Sequence, residues 1–172
     1  MARRLAQPPE VPLRRAAQIR VIYADTDLMG VVYHGTYLRY LEHARVEFIR
    51  SLGFAYSDLE RMGVGLPVID LSVSYLAPAL YDDIVSVEVG LAKLSFARLH
   101  FVYRLSVQPG DRHAFAGPDP LVLLHAQTFH GCLDMQERRA TRLPEPVYNI
   151  LEAYMTEPLA AVQTDHEGHR HD

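Results

Sequence analysis

Asp27, Gly30 and His34 are spaced in a way that could do chemistry. They sit in the run Tyr-Ala-Asp-Thr-Asp-Leu-Met-Gly-Val-Val-Tyr-His-Gly-Thr-Tyr, residues 23–37. A short acidic turn ends a strand-like segment, an apolar triplet leads to His34, and a long amphipathic run begins just beyond it. The first backbone N–H groups of a helix have no partner within the helix and carry partial positive charge. A carboxylate aimed at the same space as such N–H groups is suited to attack on a carbonyl, with the amides stabilising the oxyanion. The structural alternative for Asp27 is an Asp that bonds neighbouring amides in a glycine turn. Asp25, two residues earlier, reads as turn structure or as solvent-facing.

The element that must position these groups is a helix over 36–52, roughly 25 Å long at about 1.5 Å per residue. Thr36 is the expected N-cap and Gly53 the expected stop. Tyr37, Tyr40, Leu41, Ala44, Phe48 and Leu52 share one side, and Leu38 and Ile49 widen it to about half the circumference. Arg39, Glu42, His43, Glu47 and Arg50 lie opposite. So wide an apolar face predicts a helix wrapped by a sheet. Arg45 projects into the apolar arc, where an unpaired charge is costly, so Glu42 or Asp70 is its expected partner.

Asp27, Gly30, Val31, Val32, Tyr33, His34 and Tyr37, followed by Glu42-His-Ala-Arg45, resemble the 4-hydroxybenzoyl-CoA thioesterase family. The closer likeness is to the acyl-CoA thioesterase branch found with the Tol–Pal envelope system, and it covers about residues 18 to 150. The resemblance implies a hotdog fold: an α+β domain in which an antiparallel sheet wraps one long central helix. It also implies an acyl-CoA or acyl-carrier-protein thioester substrate, hydrolysed to free acid and thiol. Asp27 would be the nucleophile, forming an anhydride, or the general base on a water. The His34 amide would be the oxyanion donor and Gly30 would allow close backbone approach. One such donor is worth about 3 kcal/mol in the transition state. Lys93 and Ser95, before Phe96, resemble a cofactor-A-binding stretch, and Arg138, Arg139 and Arg142 a second basic cluster for its nucleotide end. Solvated surface charge is the alternative for each cation. The resemblance further implies a homodimer or homotetramer with sites between subunits, and no cofactor beyond the CoA of substrate and product. The rival readings are a hotdog hydratase or dehydratase, which needs an acid–base histidine, and a non-catalytic acyl-carrier or envelope-associated binding module.

The bounds agree with one enzyme-sized domain. The chain has 172 residues, 49% hydrophobic and 22% charged, with net charge −4. No global basic field recruits nucleic acid. Cys132 is the single cysteine, so no internal disulfide forms, and its apolar surroundings predict a buried thiol. No run reaches the ~20 apolar residues that span a membrane, and a cytoplasmic protein is expected.

Residues 1–17 read as a flexible leader, 18–156 as the domain, and 157–172 as a disordered tail. His166, His169 and His171 in that tail suggest adventitious metal binding only, and no metal site is expected. Strands are predicted over 18–23, 66–75, 85–91, 97–107 and 121–133 from their alternation and β-branched content. A short helical turn is expected over 57–61, capped by Ser57 or Asp58. Residues 108–120, rich in Gly and Pro, form a loop. Pro144 and Pro146 introduce a last helix through about residue 155.

Overall fold

The computed structural model describes residues 8–111 and 118–156. The expected tail, and residues 1–7 of the expected leader, lie outside them. Five antiparallel strands form the main sheet in the order β1-β4-β5-β6-β3. These are β1 (Arg14–Arg20), β3 (Val68–Tyr75), β4 (Ile84–Leu94), β5 (Arg98–Val107) and β6 (Leu121–Gly131). A small second sheet joins β2 (Val64–Gly65), β7 (Leu133–Asp134) and β8 (Arg139–Ala140). The helices are α1 (Thr36–Ser51), α2 (Tyr56–Arg61) and α3 (Glu145–Thr156).

Alternation sets the register. Val85, Val87, Val89 and Leu91 of β4 face Val107, Leu105, Tyr103 and Phe101 of β5, and all eight are buried. A one-residue slip would turn this entire apolar face outward. The α1 helix lays Tyr37, Tyr40, Leu41, Ala44, Phe48 and Ile49 on that face. Phe48 meets Phe101 edge-on at 6.1 Å and Tyr154 of α3 at 5.0 Å, which fixes the helix between sheet and α3. Burying such a ring contributes about 1.5–3 kcal/mol.

Several boundaries differ from expectation. The first strand begins at Arg14, inside the segment expected as a leader. Residues 11–13 pack over Gly90, where a Cβ would meet the Pro12 carbonyl oxygen at 2.5 Å. Beyond β1 the chain leaves the ladder and makes a single 3₁₀ turn, Tyr23–Asp25. Gly35, not Thr36, is the N-cap of α1; the Thr36 hydroxyl instead donates to the Asp25 carbonyl at 3.3 Å. Leu38 is 40% exposed, so the buried stripe is narrower on that side. Ala55 precedes α2, and no Ser57 or Asp58 cap forms. The last long strand stops at Gly131, and the chain then folds back as the β7–β8 hairpin.

Arg45 is buried, at 6% exposure, without the expected ion pair. Neither Glu42 nor Asp70 pairs with it, because both are exposed and Asp70 accepts the Leu71 N–H instead. Its guanidinium lies 5.6 Å above the Tyr56 ring. Cys132 is buried as expected, and burial pushes its thiol up to about 11, which leaves it protonated and inert. No helix among the described residues is long and apolar enough to cross a membrane.

Candidate active site

The loop from Asp25 to His34 is held from several sides. Asp27 N–H donates to the Val31 carbonyl at 2.9 Å, and Gly30 N–H to the Asp27 carbonyl at 2.9 Å. Thr26 and Val32 close the hairpin above this turn. Gly30 has φ +73, the left-handed conformation that a side chain disfavours. A Cβ there would meet no atom of the protein within 4 Å, so within the chain itself it is the turn's backbone conformation that calls for glycine.

Asp27 is half-buried, and its Oδ1 accepts the Met29 N–H at 2.8 Å. That bond is the Asx turn of the structural alternative. It also orients the carboxylate while engaging one oxygen. Asp25 differs. It is 3% exposed, and its Oδ2 accepts from the Ile22 N–H at 3.1 Å and the Tyr40 hydroxyl at 2.9 Å. Its carbonyl accepts the Tyr33 N–H at 2.8 Å. Asp25 is therefore turn structure, and the solvent-facing alternative fails. Burial first, and then the bond to Asp25, push the Tyr40 hydroxyl well above its ordinary pKa, so it remains a donor.

His34 is exposed, and its ring lies 4.2 Å from that of Tyr33. Its N–H has no hydrogen-bond partner among the described residues, whereas its carbonyl accepts the Tyr75 hydroxyl at 2.9 Å. Tyr75, at the end of β3, lies 41 positions from His34 and was not singled out by the sequence. A shallow cavity of about 240 Å³ opens beside His34, Tyr37 and Tyr75; Asp27 does not line it.

The cations divide into two groups. Lys93 and Ser95 line a cavity of about 480 Å³ with Arg98 and His100. Sequence reasoning missed Arg98, although it is the only further cation in that hairpin turn. Ser95 closes the turn, its N–H donating to the Arg98 carbonyl at 2.9 Å. Arg142 joins this hairpin, its guanidinium 5.4 Å above Phe96, which itself stacks on Tyr148 at 4.8 Å. Arg138 and Arg139 instead lie exposed in the β7–β8 hairpin. No cluster of three or more His, Cys, Asp or Glu fit to hold a metal occurs among the described residues.

Residues 21–151 match the thioesterase-like superfamily, and the chain belongs to it. It is thereby classed with thioester hydrolases, and its fold is the hotdog fold. The chain is 32% identical over 130 residues to the acyl-CoA thioesterase YbgC of Haemophilus influenzae, covering 75% of this chain and 88% of that one. A hypothetical protein from Thermus thermophilus superposes with TM-score 0.70 at 37% identity, over 81% of this chain and 98% of that one. The DHNA-CoA thioesterase of Staphylococcus aureus does so with TM-score 0.69 at 31% identity, over 80% and 86%.

Proposed function

We propose that the chain hydrolyses acyl- or aroyl-CoA thioesters to free acid and CoA, as a member of the acyl-CoA thioesterase branch. The observation that carries this reading is the unpaired His34 N–H at the start of α1, in a loop pinned by Asp25 and Tyr75. A thioester carbonyl placed there would have its developing oxyanion stabilised by that donor. The Asp27 carboxylate then attacks the carbonyl carbon or takes a proton from the attacking water. The C–S bond breaks, and the leaving thiolate needs little protonation because a thiol pKa lies near 8.5. Lys93, Ser95, Arg98 and Arg142 would meet the phosphates and adenine of CoA, and no separate cofactor is required.

The site is completed by a second copy. The edge strand β3 leaves its backbone ladder open and exposes Val68, Ile69 and Leu71, which suits pairing with the same strand of another subunit. Asp27 and the His34 cavity would then be joined across the dimer.

Release of free thiol from a panel of acyl-CoA and acyl-carrier-protein thioesters tests the reading. Hydrolysis of CoA thioesters is the expected result. Hydration of an enoyl-CoA, or binding without turnover, would replace it with one of the two rivals.

A further inference from the structure

A second cavity lies along the seam between α1 and β3. Its volume is about 390 Å³, within the roughly 300–1,000 Å³ of small-molecule sites. Leu38, Leu41 and Arg45 line it from α1, and Val68 and Leu71 from β3. Leu38 is one turn beyond His34, and Arg45 is about 16 Å of helix axis beyond it. Tyr75, on the same strand as Leu71, touches the His34 carbonyl. Cavity and candidate active site thus share one seam.

Apart from the exposed Glu42, the walls are apolar except at the inner end, where Arg45, Tyr103, Thr128 and His130 meet. The hydrogen bonds there run in one direction. His130 Nδ1 faces the Leu66 carbonyl at 3.0 Å, which can only accept, so Nδ1 carries the proton. Burial, and then the charge of Arg45, hold His130 down to about 4, so the ring is neutral and Nε2 accepts. Thr128 therefore donates to Nε2 at 2.8 Å, and Tyr103 donates to the Thr128 oxygen at 3.0 Å. Each of these three donors is used. Arg45 bonds the Tyr103 hydroxyl but still keeps a free donor: its Nη1 is buried and has no hydrogen-bond partner among the described residues. Glu42 also lines the cavity, but it is exposed and forms no ion pair with Arg45.

A buried cation with an unused N–H calls for an anionic acceptor, and a guanidinium fork matches a carboxylate. We propose that this cavity receives a carboxylate at the far end of the acyl group, so that the favoured substrates are thioesters of dicarboxylic acids. The proposal rests on the thioester reading above for its catalytic consequence. Apolar walls hold the methylene chain, and Arg45 selects its tip. A methyl-tipped chain of the same length leaves the Arg45 Nη1 buried without an acceptor. A hydrogen bond to a charged group supports a preference of about ten- to a hundredfold.

The test compares glutaryl-, adipoyl- and suberoyl-CoA with pentanoyl-, hexanoyl- and octanoyl-CoA on the full chain. For at least one length, kcat/KM should favour the carboxyl-tipped member by about tenfold or more. In Arg45→Met and Arg45→Gln that ratio should fall to near one; because it is internal to each preparation, partial unfolding divides out. Calorimetry on the wild type supplies a second measurement that needs neither turnover nor a variant, with adipate binding and hexanoate not. No preference at any length, or a preference that survives loss of Arg45, overturns the proposal. So does an Arg45→Met chain that changes its oligomeric state with preference intact, since the missing carboxylate would then belong to a second copy. Arg45-dependent binding of adipate without hydrolysis of any thioester would keep the cavity's assignment and remove the thioester reading. Hydrolysis without carboxylate preference would do the reverse.

Discussion

Asp25 and Asp27 stand two residues apart on one loop and face opposite physical situations. Asp25 is buried, and both a backbone N–H and the Tyr40 phenol donate to its carboxylate. Arg39 also approaches at 3.5 Å, but its side chain is 72% exposed and such a pair adds little. Asp27 is half-buried and accepts one backbone N–H from its own turn. A buried carboxylate that holds two donors from separate parts of the chain ties structure together. One that is oriented by a single bond retains an oxygen for chemistry. The same residue type, two positions along, is divided into scaffold and candidate reactant by what surrounds it.

The largest expected effect comes from Asp27→Asn, which keeps shape but supplies neither nucleophile nor base. Single-turnover hydrolysis of one thioester should slow by about a hundredfold or more, with the melting temperature nearly unchanged. Full activity in this variant would remove Asp27 from the chemistry. Asp25→Asn should act in the opposite sense. An amide oxygen in place of Oδ2 can still accept from both the Ile22 N–H and the Tyr40 hydroxyl, but without the negative charge both bonds weaken, and denaturant unfolding should show a loss of about 1–3 kcal/mol. Activity per folded molecule should remain largely intact. A stable but inactive Asp25→Asn would exchange the two roles.

Gly30→Ala sharpens the contrast through the turn alone. At φ +73 a Cβ costs about 1–2 kcal/mol, whereas Asn tolerates that conformation better. Gly30→Ala should therefore lower both stability and kcat, and Gly30→Asn should recover part of each. Equal behaviour of the two variants would show that the turn's handedness does not position Asp27. The smallest effect belongs to Tyr75→Phe, which removes the hydroxyl on the His34 carbonyl. At a half-exposed site this bond contributes about 0.5–1.5 kcal/mol, and a several-fold fall in kcat with little change in KM is expected. A change confined to KM would place Tyr75 on the substrate rather than behind the His34 peptide.

Local pattern carried much of this protein. The spacing of Tyr37, Tyr40, Leu41, Ala44 and Phe48 predicts α1 and its buried side, and the alternation of Val85, Val87 and Val89 predicts β4 and its inner face. Gly53 at φ +95 ends α1 where expected. These features depend on neighbours within a few residues, whose geometry repeats with the period of helix or strand. The Asp27–Gly30 turn is legible for the same reason.

Other features depended on segments far apart in the chain. Asp25 became scaffold because Ile22 and Tyr40 converge on it, and its place between Ala24 and Thr26 gives no sign of that convergence. Tyr75 reaches His34 only because β3 runs beside the start of α1. Arg142 joins the Phe96 hairpin while Arg138 and Arg139, close to it in sequence, do not. The helical pattern predicts that Arg45 points inward, yet neither expected carboxylate pairs with it because Glu42 and Asp70 turn to the surface. A periodic pattern determines which way a side chain faces; what it meets there is decided by strands and helices that only the folded chain brings together.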